Sequence, residues 1–327
     1  MSLSIGVCDD GTISFDSGCP SPSTAVNQLE MWQAETFDST TIDRELGWAA
    51  GIGMNVVSVY LHNLPWEADS AGFRLRTDRF LQMADRHRIR VLFVLLDDCW
   101  NPHPHAGSQP APLHGVHNSG WVQCPGREAV LDSSQWPRIE RFVKDVLRNF
   151  SDDRRVLMWD LYNEPGNSNQ GLKSLPLLQK VFRWAREVGP GQPLTAGVYE
   201  GTEKQLADFQ LEASDITTFH NYSDTTRLIQ DITRTRAFGR PVICTEWMAR
   251  TNNSRIETHL PIFKREKVGC INWGLVYGKT QTIYPWGSKL GSPEPKVWFH
   301  DLFRPDGTPF DEGEIRLLRA MTEQVLK

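Results

Sequence analysis

Two glutamates in this sequence follow short strand-like segments, where a carboxyl group can do chemistry. Glu164 comes after the apolar residues 156–159 and before a Pro-Gly pair, which stops strand pairing and turns the chain outward. Glu246 ends a second such segment, residues 242–245. One carboxylic acid can protonate a leaving oxygen while another attacks or activates water, as cleavage of a glycosidic bond requires. An ordinary loop carboxylate would also fit the Asn-Glu-Pro triplet, so the pair, not Glu164 alone, favours this chemistry.

Both segments are too short for helices and are typical of buried strands. Such strands alternate with helical segments along the chain, which is the pattern of a parallel α/β barrel. The chain between Glu164 and Glu246 has room for three strand-helix units, which places them after the fourth and seventh strands. The C-terminal ends of barrel strands share one mouth, where active sites lie. We therefore predict an α/β fold, a single (β/α)8 TIM barrel with both glutamates at that mouth.

The alternation assigns most of the chain. Predicted strands lie at residues 55–62, 90–96, 156–159, 194–199, 216–220, 242–245 and 269–273, and predicted helices at 41–51, 74–87, 134–150, 171–187, 204–211, 225–237, 254–266 and 317–326. The first strand should be short and near residues 13–15, because the Asp, Gly and Pro residues of segment 1–20 make a poor strand. We expect residues 1–327 to form one catalytic domain with an irregular or altered N-terminal segment, residues 1–20.

Longer motifs support a family resemblance. Asn163-Glu164-Pro165 and Glu246 occur together with the strings HNYSD at residues 220–224, NWG at 272–274 and WFHDLFRPDG at 298–307. As a set, these resemble the glycoside hydrolases of clan A and are most similar to family 5, the cellulase-like enzymes, including bacterial proteins labelled β-1,4-xylanases or cellulases. The likeness runs from about residue 21 to the C-terminus, and its motifs are specific together but not singly.

The resemblance implies a retaining β-glycoside hydrolase that works by double displacement. Glu164 would be the general acid/base and Glu246 the nucleophile. An acid must hold its proton near neutral pH, so enclosure and the neighbouring carboxylate are expected to raise the pKa of Glu164. Hydrogen bonds are expected to keep Glu246 ionised.

Further residues match substrate-binding positions of the family. Asn163 would hydrogen-bond the sugar 2-hydroxyl, and Trp273 would stack under the sugar ring. His220 ends the sixth predicted strand and Tyr222 follows it. Tyr222 would donate to Glu246, although either residue could be a satisfied buried polar residue. Three of the 12 tryptophans could line other subsites or pack in the core: Trp32, Trp100 and Trp247.

One position departs from the family pattern. Family members usually carry an arginine on the second strand that supports the nucleophile, and this sequence has Ser58 there. A serine supplies neither the charge nor the reach of a guanidinium. Either another cation substitutes or Glu246 is less well poised. The rival function is therefore a carbohydrate-binding pseudoenzyme of the same fold, and a transglycosylase would use the same residues.

Composition excludes several other classes. The net charge of −5, with acids and bases interspersed, argues against a nucleic-acid surface. No apolar run is long enough to span a bilayer, and the N-terminus lacks the basic and apolar regions of a signal peptide. The expected partner is an oligosaccharide or polysaccharide substrate, with no nucleic acid and no membrane, and the chain is expected to be a monomer.

Cysteines and histidines give no sign of a metal or cofactor site. Cys244 and Cys270 fall on predicted strands and fit small buried residues, whereas Cys99 and Cys124 bracket a long loop and could bridge its base. Loops this long are usually functional, so we interpret it as an active-site wall. Its four histidines match no metal-site spacing: His103, His105, His114 and His117. We expect chemistry without a metal or cofactor.

Overall fold

The computed structural model describes residues 23–322, in which parallel strands alternate with helices. The strands are β1 (Val56–Tyr60), β2 (Arg90–Val94), β3 (Val156–Asp160), β4 (Leu194–Thr195), β5 (Thr217–Asn221), β6 (Val242–Trp247) and β7 (Gly269–Asn272). The helices are α1 (Gln28–Trp32), α2 (Ser39–Gly51), α3 (Asn63–Ala68), α4 (Ser70–Arg86), α5 (Arg127–Leu131), α6 (Trp136–Phe150), α7 (Leu175–Val188), α8 (Lys204–Ala213), α9 (Thr225–Arg236), α10 (Ile256–Glu266) and α11 (Glu312–Thr322). None of the helices within residues 23–322 combines the length and apolar character needed to cross a membrane.

The strands follow one another in chain order, as in a (β/α)8 barrel. Strands β1 to β4 form one parallel sheet and β5 to β7 another. A parallel bridge between Val198 and Phe219 joins the two sheets, and the His220 amide donates to the Val198 carbonyl at 2.8 Å. The predicted barrel fold is confirmed. The strand predicted near residues 13–15 lies outside the described residues.

Alternation along β1 shows which side chains face the barrel interior. Val57 and Val59 pack in the main core between strands and helices. Val56 and Tyr60 pack in a separate apolar cluster with side chains of the other strands. Side chains two apart on a strand share a face, so Ser58 points into the barrel with Tyr60. The strands are buried on both faces, which explains their continuous apolar runs.

The predicted elements are present with shifted ends. Of predicted strand 194–199, only Leu194–Thr195 pairs regularly, and the loop predicted after β1 begins with helix α3. The His62 side chain caps α3 by accepting from the Leu64 amide at 3.1 Å. The closing helix starts earlier than predicted, at Glu312, and residues 323–326 of the prediction lie outside the described part.

Cys99 and Cys124 do not form the disulfide that the sequence left open, because both thiols are free. Asp97 and Cys124 instead hold the base of the long loop as backbone neighbours, with each amide donating to the other's carbonyl at 2.7 and 2.9 Å. The Cys124 thiol points into the core and contacts the Leu95 carbonyl at 3.3 Å. Cys99 points toward Glu164, as described below. The base of the long loop is therefore held by backbone hydrogen bonds and not by a disulfide.

Candidate active site

The structure brings Glu164 and Glu246 to the same barrel mouth. Glu246 lies near the end of β6, and Glu164 lies in the turn after β3. Both are 7% exposed. Glu164 has a φ of 44°, in the left-handed region that non-glycine residues rarely adopt and that is common at functional sites. A carboxylate oxygen of each and a ring nitrogen of His220 lie within 4.8 Å of one another.

Two phenols hold Glu246. Tyr222 donates to Oε2 at 2.7 Å, which is the hydrogen bond that the sequence predicted. Tyr60 donates to Oε1 at 2.6 Å, a hydrogen bond that the sequence did not predict. Tyr60 lies two residues beyond Ser58 on the inward face of β1, so a phenol supports Glu246 from the strand on which the family usually has an arginine. The alternation of β1 was the signal that could have revealed Tyr60.

Glu164 is held by a different set of groups, contributed mainly by loops. His220 Nδ1 lies 2.6 Å from Glu164 Oε1. The Cys99 thiol donates to Oε2 over 3.3 Å, and the Asn167 amide also donates to Oε2. Neither Cys99 nor Asn167 was predicted, because nothing in the sequence shows where these loop side chains point. His220 is thus the one predicted residue that contacts Glu164.

His220 lies between the two carboxylates and sets their charge. Burial lowers the pKa of His220, but the charge of Glu246 and the hydrogen bond to Glu164 raise it to about 9. Nδ1 is 3.5 Å from Glu246 Oε2. At neutral pH the ring is therefore an imidazolium shared by both glutamates.

The imidazolium reverses the pKa shift that was predicted for Glu164. Burial raises the pKa of Glu164, but the hydrogen bond and charge of His220 outweigh it and hold that pKa below its ordinary value. Burial raises the pKa of Glu246, and the charge of Glu164 adds to this against the opposing charge of His220 and the two tyrosines. The predicted rise in the pKa of Glu164 is wrong, because the sequence does not show that a cation lies beside it.

Asn163 is fixed by a buried carboxyl group. Its amide donates to Asp97 Oδ1 at 3.0 Å, and the Trp121 indole donates to Asp97 Oδ2 at 2.7 Å. Burial raises the pKa of Asp97 to about 7. Asp97 thereby orients Asn163 toward the mouth, where Asn163 lines the same cavity as Glu164.

A cavity of about 420 Å³ opens at this mouth and has aromatic sides. Trp273 lines it and is packed edge-on by Tyr60 and Trp121, with ring centroids 5.8 and 5.7 Å away. Trp100 and Trp286 lie at its rim, where they are 38% and 44% exposed. Of the predicted tryptophans, Trp100 and Trp273 are thus in the site, and Trp286 was missed.

Trp32 and Trp247 are not in the site, which corrects their assignment to the substrate. Both are fully buried, outside the cavity. Trp32 packs against Phe73 and Phe80, and Trp247 stacks on His259 at 5.8 Å. Because neighbouring strand residues point to opposite faces, Trp247 must face the helices when Glu246 faces the interior.

The histidines of the long loop do not form a metal site. His103, His105 and His114 are exposed, whereas His117 is buried and lines the cavity. Its Nδ1 donates to the Tyr284 carbonyl at 2.6 Å, and burial lowers the pKa of His117 to about 4.

Among the described residues, one cluster has ligand atoms close enough to surround an ion: Glu164, His220 and Glu246. These groups are already hydrogen-bonded to one another and to tyrosines. The absence of a metal or cofactor from the chemistry stays a prediction.

The amino-acid sequence around the site is similar to that of a known family. The family description "Cellulase (glycosyl hydrolase family 5)" matches residues 115–278, which contain both glutamates, Asn163, His220 and Trp273. No curated protein matches the chain.

Solved structures match the fold across most of the chain. An endo-1,4-beta-mannanase from Rhizomucor miehei is 13% identical, with a TM-score of 0.60 over 96% of this chain and 95% of that one. A GH5_18 variant from Streptomyces cattleya, in complex with Manb1-4GlcNAc, is 13% identical, with a TM-score of 0.63 over 96% and 80%. An exo-beta-1,4-mannosidase from Opitutaceae bacterium strain TAV5 is 16% identical, with a TM-score of 0.65 over 98% and 63%. At these identities the likeness shows the fold.

Proposed function

The chain belongs to glycosyl hydrolase family 5 and is a glycosidase, and from this premise we propose that it is a retaining β-glycosidase acting as a single catalytic domain. The observation that carries the proposal is the clustering of Glu164, Glu246 and His220, with one ligand atom of each within 4.8 Å of the others. Retaining enzymes place their two carboxyl groups roughly 5–5.5 Å apart, which leaves no room for a water between the nucleophile and the sugar.

In the first step, a Glu246 oxygen attacks the anomeric carbon. The bond from that carbon to the leaving oxygen breaks, its electron pair stays on the oxygen, and Glu164 supplies the proton that neutralises it. A glycosyl ester of Glu246 results. In the second step, Glu164 removes a proton from water, the water oxygen attacks the same carbon, and the ester bond breaks to restore the Glu246 carboxylate.

His220 and Glu164 together hold the proton that the first step needs. The 2.6 Å separation of His220 Nδ1 and Glu164 Oε1 allows the proton to move from the ring to the carboxylate. The product of that transfer is a neutral Glu164 beside a neutral imidazole, with the charge of Glu246 unchanged. Glu164 can therefore act as an acid although its pKa is lowered, because the neighbouring imidazolium supplies the proton.

The cavity suits a neutral sugar. Trp273 offers an apolar ring for a sugar face, and Asn163, oriented by Asp97, supplies an amide for the 2-hydroxyl. Asp97, Glu164, Glu200 and Glu246 line the cavity, and no lysine or arginine is among the described residues that line it. A uronic acid or sulfated sugar would meet an excess of carboxylates, because the charge of His220 is already shared by Glu164 and Glu246. We propose a β-linked neutral glycan as substrate.

The pseudoenzyme hypothesis loses its main support. It rested on Ser58 in place of an arginine, but Tyr60 donates to Glu246 at 2.6 Å from the same strand. Glu246 therefore has two donors that orient it for attack. Transglycosylation differs only in the acceptor and uses the same groups.

A panel of nitrophenyl glycosides tests the function. Neutral β-mannosides, β-glucosides, β-xylosides and β-galactosides are compared with a β-glucuronide, and Glu246→Ala is the negative control. We expect turnover of at least one neutral β-glycoside, none of the glucuronide, and loss of turnover in the variant. Binding of oligosaccharides without turnover of any glycoside would instead establish the pseudoenzyme.

A further inference from the structure

Two loops at the barrel mouth are joined by hydrogen bonds. One is the long loop after β2, and the other follows β7. The Gln281 side chain connects them: its Oε1 accepts from the Gly115 amide at 2.9 Å, and its Nε2 donates to the Leu113 carbonyl at 2.8 Å. The Asn118 amide donates to the Thr280 carbonyl at 2.9 Å. We call residues 113–118 and 280–292 together the loop wall.

Further bonds extend the loop wall away from Gln281. The His117 backbone amide donates to Ser288 Oγ at 3.0 Å, and the His117 ring donates to the Tyr284 carbonyl. Gly115 has a φ of 80°, and a Cβ added to it would lie 2.6 Å from the Ser292 backbone nitrogen. The backbones of the two loops are therefore in direct contact at a position that favours glycine. The loop wall is therefore a continuous barrier and not two independent loops.

Three other contacts join further parts of the rim. The Trp100 amide donates to Ser168 Oγ at 2.9 Å, and Tyr222 packs against Trp286 with ring centroids 5.0 Å apart. Ser223 donates to Glu200 at 3.1 Å. Within residues 23–322, no hydrogen bond joins Ser168 to Glu200. That side of the rim is next to Glu164, the group that protonates the leaving oxygen.

The loop wall also carries an unsatisfied polar group. Asn118 lines the cavity and is 1% exposed, and its side-chain nitrogen and oxygen have no hydrogen-bond partner among residues 23–322. Leaving a buried amide without partners is unfavourable. A sugar hydroxyl both donates and accepts, so a sugar held against the loop wall would satisfy it.

We propose that the loop wall closes the cavity at its end away from Glu164, so that the enzyme removes sugars from the non-reducing ends of short β-linked chains. This rests on the proposed retaining glycosidase. The terminal sugar lies between Trp273 and the loop wall, with a hydroxyl bound by Asn118, and the rest of the chain leaves past Ser168 on the Glu164 side. The cavity of about 420 Å³ fits this, because it is near the lower end of the roughly 300–1,000 Å³ typical of small-molecule sites.

The direct test follows the size of the products. Oligosaccharides of the sugar identified by the glycoside panel are labelled at the reducing end and digested briefly. We expect one unlabelled product of constant size and a ladder of labelled products that shorten by that size. Early labelled products of all sizes would overturn the proposal while leaving the glycosidase function intact. If no glycoside is cleaved, calorimetric titration measures the affinity for oligosaccharides of increasing length. An affinity that stops rising beyond two or three sugars supports the closed end. An affinity that keeps rising with chain length overturns it.

A variant that loosens the loop wall sharpens the test. Gln281 has a φ of 56° and does not line the cavity, so Gln281→Gly removes the connecting side chain without backbone strain. We expect the ratio of kcat/KM on long chains to that on short chains to rise about tenfold. Lys267→Gly is the matched control, because Lys267 is exposed at a φ of 52°, in the turn before β7 at the opposite end of the barrel. A folded Gln281→Gly with the same ratio as Lys267→Gly would contradict a role of the loop wall in selecting chain ends.

Asn118 is tested in the same way. Asn118 has a φ of 50°, which glycine adopts freely, so Asn118→Gly removes the amide and keeps the backbone bonds. We expect kcat/KM on the parent glycoside to fall about tenfold, as for one lost hydrogen bond, and the loss to vanish on the deoxy sugar that lacks the bound hydroxyl. Asn253→Gly, at a φ of 64° outside the cavity, is the control. An equal loss on every deoxy sugar would show that Asn118 has only a structural role.

Discussion

Glu246 and Glu164 are equally buried, but the groups around them differ in kind. Glu246 is held by the phenols of Tyr60 and Tyr222, which donate hydrogen bonds to it. Burial and the neighbouring carboxylates raise the pKa of Tyr222, so this phenol keeps its proton. Glu164 is held by His220, whose proton can transfer. A carboxylate fixed by firm donors is oriented to attack, and one beside an imidazolium is able to exchange a proton. These surroundings favour the proposed roles, with Glu246 as the nucleophile and Glu164 as the acid/base.

The same contrast holds for the supporting structure. The groups around Glu246 lie on or next to β1 and β5, which the rigid barrel fixes in position. Two of the three groups around Glu164, Cys99 and Asn167, come from loops. If this difference in surroundings is a difference in role, substitutions at the two glutamates should have different consequences.

The largest effect is expected from removing the nucleophile. Glu246→Ala should lower kcat by at least about 10⁴-fold, because the covalent route is lost. Sodium azide should restore turnover by attacking from the vacated side, and the glycosyl azide should have inverted configuration, as chromatography and NMR would show. Glu257→Ala, an exposed glutamate on α10, is the control. Rescue with retained configuration would place the nucleophile elsewhere.

Removing the acid/base should have an effect that depends on the leaving group. Glu164→Ala should lose about 10²–10⁴-fold in kcat/KM on an alkyl glycoside, whose leaving oxygen needs a proton. The loss should be much smaller on a dinitrophenyl glycoside, because dinitrophenolate leaves readily without a proton. Steady-state kinetics on the two substrates measures the contrast. Equal losses on both would contradict the assignment of Glu164 as the proton donor.

Tyr60→Phe tests whether a phenol replaces the usual arginine. One hydrogen bond to the charged Glu246 would be lost, so kcat should fall about 10–100-fold with little change in KM. Tyr222→Phe should behave similarly, and Tyr277→Phe, outside the cavity, should not. If Tyr60→Phe is as active as the unmodified protein, Tyr60 does not support the nucleophile.

The smallest effect concerns stability and pH. The pKa of His220 is raised on folding from 6.5 to about 9, so its contribution to stability is complete below about pH 6.5 and is lost as the pH rises through 9. The unfolding free energy of the unmodified protein, relative to His220→Gln, should fall by about 1–3 kcal/mol between about pH 7 and pH 9.5. Urea titrations at both pH values measure it. A constant difference would show that His220 is neutral in the folded protein.

The sequence predicted the part of the site that strands fix. Strand ends determine where Glu164, Glu246 and Trp273 lie, and the Tyr222 hydrogen bond followed from the family motif. The alternation of side chains along β1 and β6 also determines the inward direction of Tyr60 and the outward direction of Trp247.

The rest depended on loops and could not be predicted. Asn167, Cys99 and Trp286 reach the cavity through turns whose dihedral angles no periodicity encodes. The pKa of Glu164 was wrongly predicted for a different reason, since His220, which lowers it, lies on strand β5. Burial and a nearby carboxylate were foreseeable from the motif, but the 2.6 Å contact with a charged His220 required coordinates.

The configuration of the first product tests the central claim most directly. Proton NMR of a β-glycoside digest, recorded within minutes and before mutarotation, resolves the anomeric signals. If Glu246 attacks the anomeric carbon and Glu164 then activates water, two inversions occur, and the β-anomer must appear first. An α-anomer as the first product would mean that water attacks directly, and it would contradict the assignment of Glu246 as nucleophile.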